Sequence, residues 1–308
     1  MRDGIVVLGG LRAELVIRTG ATLCPGETVE GIGFQIRPGG GGANQAVAAA
    51  RAGGKPIMVG RIGQDGFSQV IAKGLFESGV RGDLVAVAQD IPTGSTFIIE
   101  DQKGQRSTVI FPGANETCSK QDVLGMLWAL EDAKVLLLQM ELPREVSFYA
   151  ARQAKERGVI VIMDPTPLEP ISPMDMKSLD IVVPNRREAS LLVGRPVVDL
   201  RTARLAAAEL VDRGANAAVV TMGAEGVVYA DASSTGYIAG HRVDAVDPSG
   251  AGDTFAGALA VAICQGKDLR EACRFANAAA ALCVTRRGVQ ESMPWRKEIE
   301  RFLSDEGF

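Results

Sequence analysis

The sequence predicts an α/β fold: a mostly parallel central sheet flanked by helices, with a small β-sheet lid. Three observations carry that expectation. Six short, almost uninterrupted apolar runs recur: IVVLGG (5–10), PIMVG (56–60), VLLLQM (135–140), VIVIMD (159–164), DIVVPN (180–185) and AAVVTMG (217–223). Amphipathic segments lie between and beside them, at about 43–53, 67–79, 119–131, 144–157, 186–193 and 201–213. Two stretches, 11–38 and 91–113, lack helical periodicity.

Strands that are apolar throughout belong in a sheet covered on both faces, and their alternation with helices implies parallel crossovers. The stretches 11–38 and 91–113 interrupt that order. The second holds the alternating runs STFIIE and RSTVIF, so both stretches are expected to form antiparallel strands of one projecting sheet. Two noncontiguous segments beside a cleft make a lid that excludes water. The apolar face of such a lid needs cover, from closure on ligand or from a second subunit, and a homodimer through the lid is expected. The last third is helical, at 251–265, 269–285 and 294–303. In the first of these Phe255, Ala258, Leu259, Ala262 and Ile263 define one buried face, and Gly266 stops the helix. Ligands of open parallel sheets bind beyond the carboxyl ends of the strands, where QME, PNRRE and TMGAEG occur.

A chain of 308 residues is long enough for a single large α/β domain, 1–308, with the lid as its appendage. With 46% hydrophobic, 23% charged and only 5% aromatic residues, and a formal charge of −4, it has neither the rings nor the basicity for nucleic acid, so a small-molecule substrate is expected. The cysteines, Cys24, Cys118, Cys264, Cys273 and Cys283, are odd in number and form no Cys-x-x-Cys pair, which suits reduced thiols in the cytoplasm and no zinc site. The N-terminal apolar run is too short for a signal, and nothing approaches a membrane span of ~20 residues. His241 is the one histidine, which leaves little scope for Ser-His-Asp chemistry.

The run DPSGAGDTFAG (247–257) sets Gly250, Ala251 and Gly252 directly before Asp253 in the first turn of a helix. Unpaired N–H groups with no side chains in the way form an anion site. A carboxylate there either complements the helix dipole or takes a proton from a group attacking bound phosphate. PGGGGANQAVAAARAGG (38–54) opens a helix near Asn44 after four glycines, a tight turn or a close approach to sugar hydroxyls. TMGAEG (221–226) is a hairpin turn or a phosphate contact. PNRRE (184–188) puts Asn185 and Glu188 on one side of a first turn, as a helix cap or as oxygen ligands suited to Mg²⁺. Walker-type and dinucleotide fingerprints are absent.

Taken together, GGGGANQAVAA, QME, PNRRE, TMGAEG, DPSGAGDTFAG and FANAAAALCVTRRGVQESMPW resemble the ribokinase-like, or PfkB, family of carbohydrate kinases over nearly the whole chain. The resemblance implies a three-layer fold and ATP-dependent phosphorylation of a primary hydroxyl on a small sugar, with D-ribose as the expected acceptor. It implies Asp253 as catalytic base and the amides of Gly250, Ala251 and Gly252 as the anion hole for the moving phosphoryl group. Arg12, Glu14, Gly40, Gly41, Asn44 and Glu141 fall at sugar-binding positions. For ATP it implies Asn185, Thr221, Gly223, Gly226, Gly252 and Asn277, and for Mg²⁺ Asn185 and Glu188 through water and phosphate. Asp247, Ser249, Cys283, Arg286, Gly288 and Ser292 match a site for a monovalent cation, K⁺, that supports the anion hole mostly through backbone carbonyls.

The departures fall on the sugar side. Arg12 and Glu14, in GLRAEL, stand where such kinases carry Asn-x-Asp, and Gly41 stands where the family has lysine. A charged hydrogen bond is worth roughly 1.5–3 kcal/mol, enough to redirect specificity. Either Arg12 faces the sugar and favours an acidic, phosphorylated or otherwise different substrate, or it pairs with Glu14 or a lid carboxylate while Glu14 reaches the hydroxyls. A nucleoside kinase and a non-catalytic sugar or nucleotide sensor are the competing functions. Retention of Asp253 beside Asn185 and Glu188 favours the enzyme.

Overall fold

The computed structural model describes residues 2–167 and 169–305. Its main sheet runs from edge to edge through β13 (Thr235–Ala239), β12 (Gly226–Asp231), β11 (Ala217–Thr221), β10 (Ile181–Val182), β9 (Ile160–Met163), β8 (Ala133–Leu138), β1 (Gly4–Leu8), β4 (Pro56–Gly63) and β5 (Arg81–Ala88). From β11 to β5 every pairing is parallel, while β12 and β13 close the other edge as antiparallel strands. The six apolar runs became β1, β4, β8, β9, β10 and β11. The additional strands β5, β12 and β13 gather at the edges, where side chains of β5 and β13 stay half-exposed and make no continuous apolar run. The segment 119–131 is two short helices, Lys120–Gly125 and Leu127–Asp132, broken at Met126.

The uninterrupted runs divide by alternation between two cores. Ile5 and Val7 of β1 point to the side of helices Gly41–Arg51 and Ala251–Cys264. Val6 and Leu8 point to the side of Arg144–Glu156 and Leu200–Asp212, where Phe148 and Leu210 are buried. Helix Ala251–Cys264 is buried all round from Thr254 onward, the pattern of a central helix. It touches Gly41–Arg51 backbone to backbone at Gly257, where an added Cβ would lie 2.6 Å from the Gln45 carbonyl oxygen. That close approach brings the N-terminal halves of both helices together at the carboxyl end of the sheet.

A second sheet has the order β3 (Gly31–Gly39), β2 (Arg12–Thr19), β6 (Gly94–Glu100), β7 (Arg106–Phe111). The β2–β3 and β6–β7 pairs are antiparallel as expected, but β2 and β6 join them in parallel. Both follow main-sheet strands in the same sense, so they enter the lid side by side. One face of this sheet turns Arg12, Glu14, Arg37, Ile98 and Arg106 toward a cavity. The other carries Ile36, Leu15, Phe97 and Val109 in one cross-strand row, and Val109 is 66% exposed.

Candidate active site

Helix Ala251–Cys264 begins on Gly250, whose φ of 78° is left-handed backbone open to glycine. The first amides of the helix have no carbonyl partner within it. That of Ala251 leans back 3.3 Å onto the Pro248 oxygen, while a Cβ on Gly252 would meet nothing within 4 Å. Asp253 follows, partly open to the cavity.

Two amides hold the Asp253 carboxylate. Asn44 Nδ2 donates to Oδ2 at 2.9 Å, and Gln45 Nε2 donates to Oδ1 at 3.1 Å. Each amide is oriented from behind: Gln290 Nε2 donates to Asn44 Oδ1 at 3.0 Å, and Gln139 Nε2 donates to Gln45 Oε1 at 2.5 Å. The carboxyl of Asp253 is pushed up to about 7, chiefly because burial strips water from it; Glu141 adds repulsion, and Asn44, Gln45 and Arg12 pull the other way.

Gln45 Nε2 also donates to Asp164 Oδ2 at 2.8 Å. Burial, then the charges of Asp253 and Glu188, hold the Asp164 carboxyl well above the usual range. Thr166 Oγ1 lies 2.8 Å from Asp164 Oδ1 and 2.7 Å from Glu188 Oε1. A hydroxyl has one hydrogen, so Thr166 donates to only one of these two carboxyls at a time.

On the sugar side Arg12 lines the cavity and has a partner that neither reading named. Arg12 pairs with Glu141, whose side chain is only 4% exposed, and not with Glu14. Glu14 accepts from Arg37 at 2.8 Å. The Gly41 amide donates to Glu141 Oε2 at 2.7 Å, and Gly40 lies beside it on the cavity wall. These groups and Asp253 line one cavity of about 260 Å³.

Farther along the strand ends, Asn185 and Glu188 form a reciprocal cap: Glu188 N–H donates to Asn185 Oδ1 at 3.0 Å and Asn185 N–H to Glu188 Oε2 at 2.8 Å. Asn185 is bridged in parallel to Thr221. Gly223 and Gly226, at φ 61° and 98°, make the tight turn from β11 into β12, so TMGAEG is a hairpin turn in shape. The Asn277 amide donates to the Ala239 carbonyl at 2.9 Å. Asp247 accepts from the amides of Ser249 (3.0 Å) and Gly288 (3.3 Å), and Cys283 Sγ lies 3.0 Å from Ser292 Oγ and 3.8 Å from the Ser249 carbonyl oxygen. The Arg286 side chain turns away from this cluster, to Glu298. Among the described residues no group of three or more His, Cys, Asp or Glu is placed to hold a metal ion.

Sequence reasoning missed Gln45, Gln139, Asp164, Thr166, Arg37 and Arg106. Asp164 had a signal, as the carboxylate ending the run VIVIMD; Gln45 had one too, as a second amide directly after Asn44 at the start of an alanine-rich helix.

The family model described as pfkB family carbohydrate kinase matches residues 2–296. A ribokinase of Haemophilus influenzae is 36% identical over 98% of this chain and 99% of its own length. A deoxyribokinase of Salmonella typhi is 33% identical over 97% of this chain and 98% of its own. The structure of Arabidopsis thaliana ribokinase complexed with ribose and ATP superposes with a TM-score of 0.91 at 33% identity, covering 98% of this chain and 99% of that one.

Proposed function

The chain belongs to the pfkB family of carbohydrate kinases, and on that premise we propose that it is a ribokinase, moving the γ-phosphoryl group of ATP to the primary hydroxyl of D-ribose. The observation that carries this reading is Asp253, a carboxylate of raised pKa standing in the first turn of a glycine-opened helix and facing a cavity walled by hydrogen-bonding groups. Asp253 takes the hydroxyl hydrogen as the sugar oxygen bonds to phosphorus. The bond from phosphorus to the bridging oxygen breaks, its electron pair leaving on ADP. The amides of Gly250, Ala251 and Gly252 donate to the group in transit.

Arg12 and Arg37 are each neutralised by a carboxylate, which favours an uncharged sugar over a sugar acid or phosphate. The cavity is below the ~300–1,000 Å³ of sites for drug-sized ligands, which favours a monosaccharide over a nucleoside.

The oxygen-only set of Asp164, Thr166, Asn185 and Glu188 fits Mg²⁺ bound partly through water, since no closed cage is present. Asn185 and Glu188 would hold it, and it would neutralise phosphate charge. The Thr221, Gly223, Gly226 and Asn277 region would take the nucleotide. The oxygens around Asp247, Ser249 and Ser292 suit K⁺, which would steady the loop leading into the anion hole. The chain reads as one domain whose lid is the second sheet, with the outer lid face joining two copies. Five free cysteines suit a reducing cytoplasm, and among the described residues no helix is long and apolar enough to cross a membrane.

Steady-state assays on ribose, 2-deoxyribose, fructose, a keto-deoxy sugar acid and a sugar phosphate test the reading. Ribose is expected to give the highest kcat/KM. A clear preference for the acid or the phosphate overturns the substrate, and full turnover by Asp253→Asn overturns the mechanism.

A further inference from the structure

Three arginines line the cavity, and they differ in how they are spent. Arg12 and Arg37 lie at the sugar end, each against a carboxylate and each at most 16% exposed. Arg106, on the lid strand β7, lies at the other end. It reaches over the cavity to the loop that starts helix Ala251–Cys264, donating to Ser249 Oγ at 2.5 Å. Its carboxylate contacts are longer: 3.5 Å to Asp247, which already accepts two backbone amides, and 3.6 Å to Glu100. Its side chain is 35% exposed and shares the cavity wall with Gly250 and Asp253. Among the three, Arg106 keeps its carboxylates at the longest distances, is the most exposed, and reaches the loop that starts the helix.

We propose that Arg106 is a catalytic residue, a guanidinium carried by the lid that contacts the phosphoryl group in transit from the side opposite the helix amides. This deepens the kinase reading and rests on it. Among the described residues lining the cavity there is no lysine, while Asp253, Asp164, Glu141 and Glu14 all face into it. A phosphoryl group entering there meets carboxylates, and amides at a helix start carry only partial charge. A guanidinium presents several donors in a plane and matches phosphate oxygens, and it stabilises charge most where water is excluded. Arg106 forms no covalent bond and gives up no proton. It leaves the Ser249 hydroxyl and the long Asp247 contact for phosphate oxygens, so the charge reaches the site only when the lid is down.

The test compares the unaltered chain with Arg106→Ala, Arg106→Lys and Arg106→Gln in assays of ribose-dependent ADP formation, with thermal melts as fold controls. Arg106→Ala and Arg106→Gln are expected to lose about 10–10³-fold in kcat, with KM for ribose changed less than about three-fold. Arg106→Lys keeps more activity, and added guanidinium ion restores part of the Arg106→Ala loss saturably. A kcat within two-fold of the unaltered chain overturns the proposal, as does a raised KM at unchanged kcat, which assigns Arg106 to holding the lid. Loss without any rescue by guanidinium also overturns it. An unaltered chain that forms no ADP with any sugar overturns the kinase reading itself, and this inference with it.

Discussion

One amide nitrogen, Gln45 Nε2, lies 3.1 Å from Asp253 Oδ1 and 2.8 Å from Asp164 Oδ2, so a single NH₂ group holds two carboxyls in register. With Gln139 occupying Gln45 Oε1, the amide has no other way to face. The hydrogen bond from Gln45 is among the influences that lower the Asp253 pKa against the larger effect of burial. A base is active when deprotonated, so kcat/KM is expected to fall as pH drops below about 7. Gln45→Leu removes a stabiliser of the charged form and moves that acid limb to higher pH, where a merely loosened core would lower the whole profile without shifting it. A pH–rate profile of both proteins checks this, and an unshifted limb counts against Gln45 as the residue that positions the base.

The same burial has a stability consequence of definite sign. Asp253 is raised from 3.8 to about 7, so between these values the unfolded chain releases a proton that the folded chain keeps. Stability from this group is therefore complete below about pH 4, declines as pH rises, and is lost above about pH 7. Asp253→Asn lacks the charged form. It is expected to melt higher than the unaltered chain at pH 8, by an amount on the order of a few kcal/mol, and to lose most of that advantage near pH 4. Calorimetry at the two pH values reads the difference, with Asp164 acting in the same direction in both proteins.

Arg12 and Glu141 form a largely buried pair in the cavity wall, with side-chain exposures of 15% and 4%. Removing one member of such a pair leaves a buried charge and costs ~3–5 kcal/mol. Arg12→Met is expected to destabilise by that order and to raise the ribose KM. The double variant Arg12→Met, Glu141→Gln should recover part of the stability, because the orphaned carboxylate is gone. Denaturant titration of the two single variants and the double gives the coupling, and strictly additive losses contradict the pairing.

What the sequence disclosed was local. Asp253 was legible because a glycine-rich turn and the face defined by Phe255, Ala258 and Leu259 fix it in a first helical turn within a dozen residues. The strands were legible because the two cores consume both faces of each run. Gln45 and Arg106 were not, since their meaning comes from contacts with Asp253 and Ser249, 208 and 143 residues away. The partner of Arg12 was hidden for the same reason. Glu14 is two residues off and on the same face of β2, but it is taken by Arg37 directly across the strand pair, and Glu141 arrives from just past the end of β8 on the facing wall. The parallel joining of β2 to β6 followed from how both strands leave the main sheet, which no alternation pattern encodes.

The outer lid face supplies the last prediction. Phe34, Ile36, Phe97, Val109 and Phe111 are each at least 42% exposed on neighbouring strands. Fully burying a side chain of this kind is worth roughly 1.5–3 kcal/mol, so a few of them suffice for stable pairing of two lids. Phe34→Asp with Val109→Asp places charge in the middle of that face while leaving Glu14, Arg37 and Arg106 untouched on the other. The unaltered chain is expected to scatter as a dimer, and this variant as a monomer at the same concentration. Its ribose KM should rise, because an unsupported lid closes less often over the cavity, whereas kcat at saturating ribose should change less. An unaltered chain that scatters as a monomer at working concentration removes the basis for the pairing.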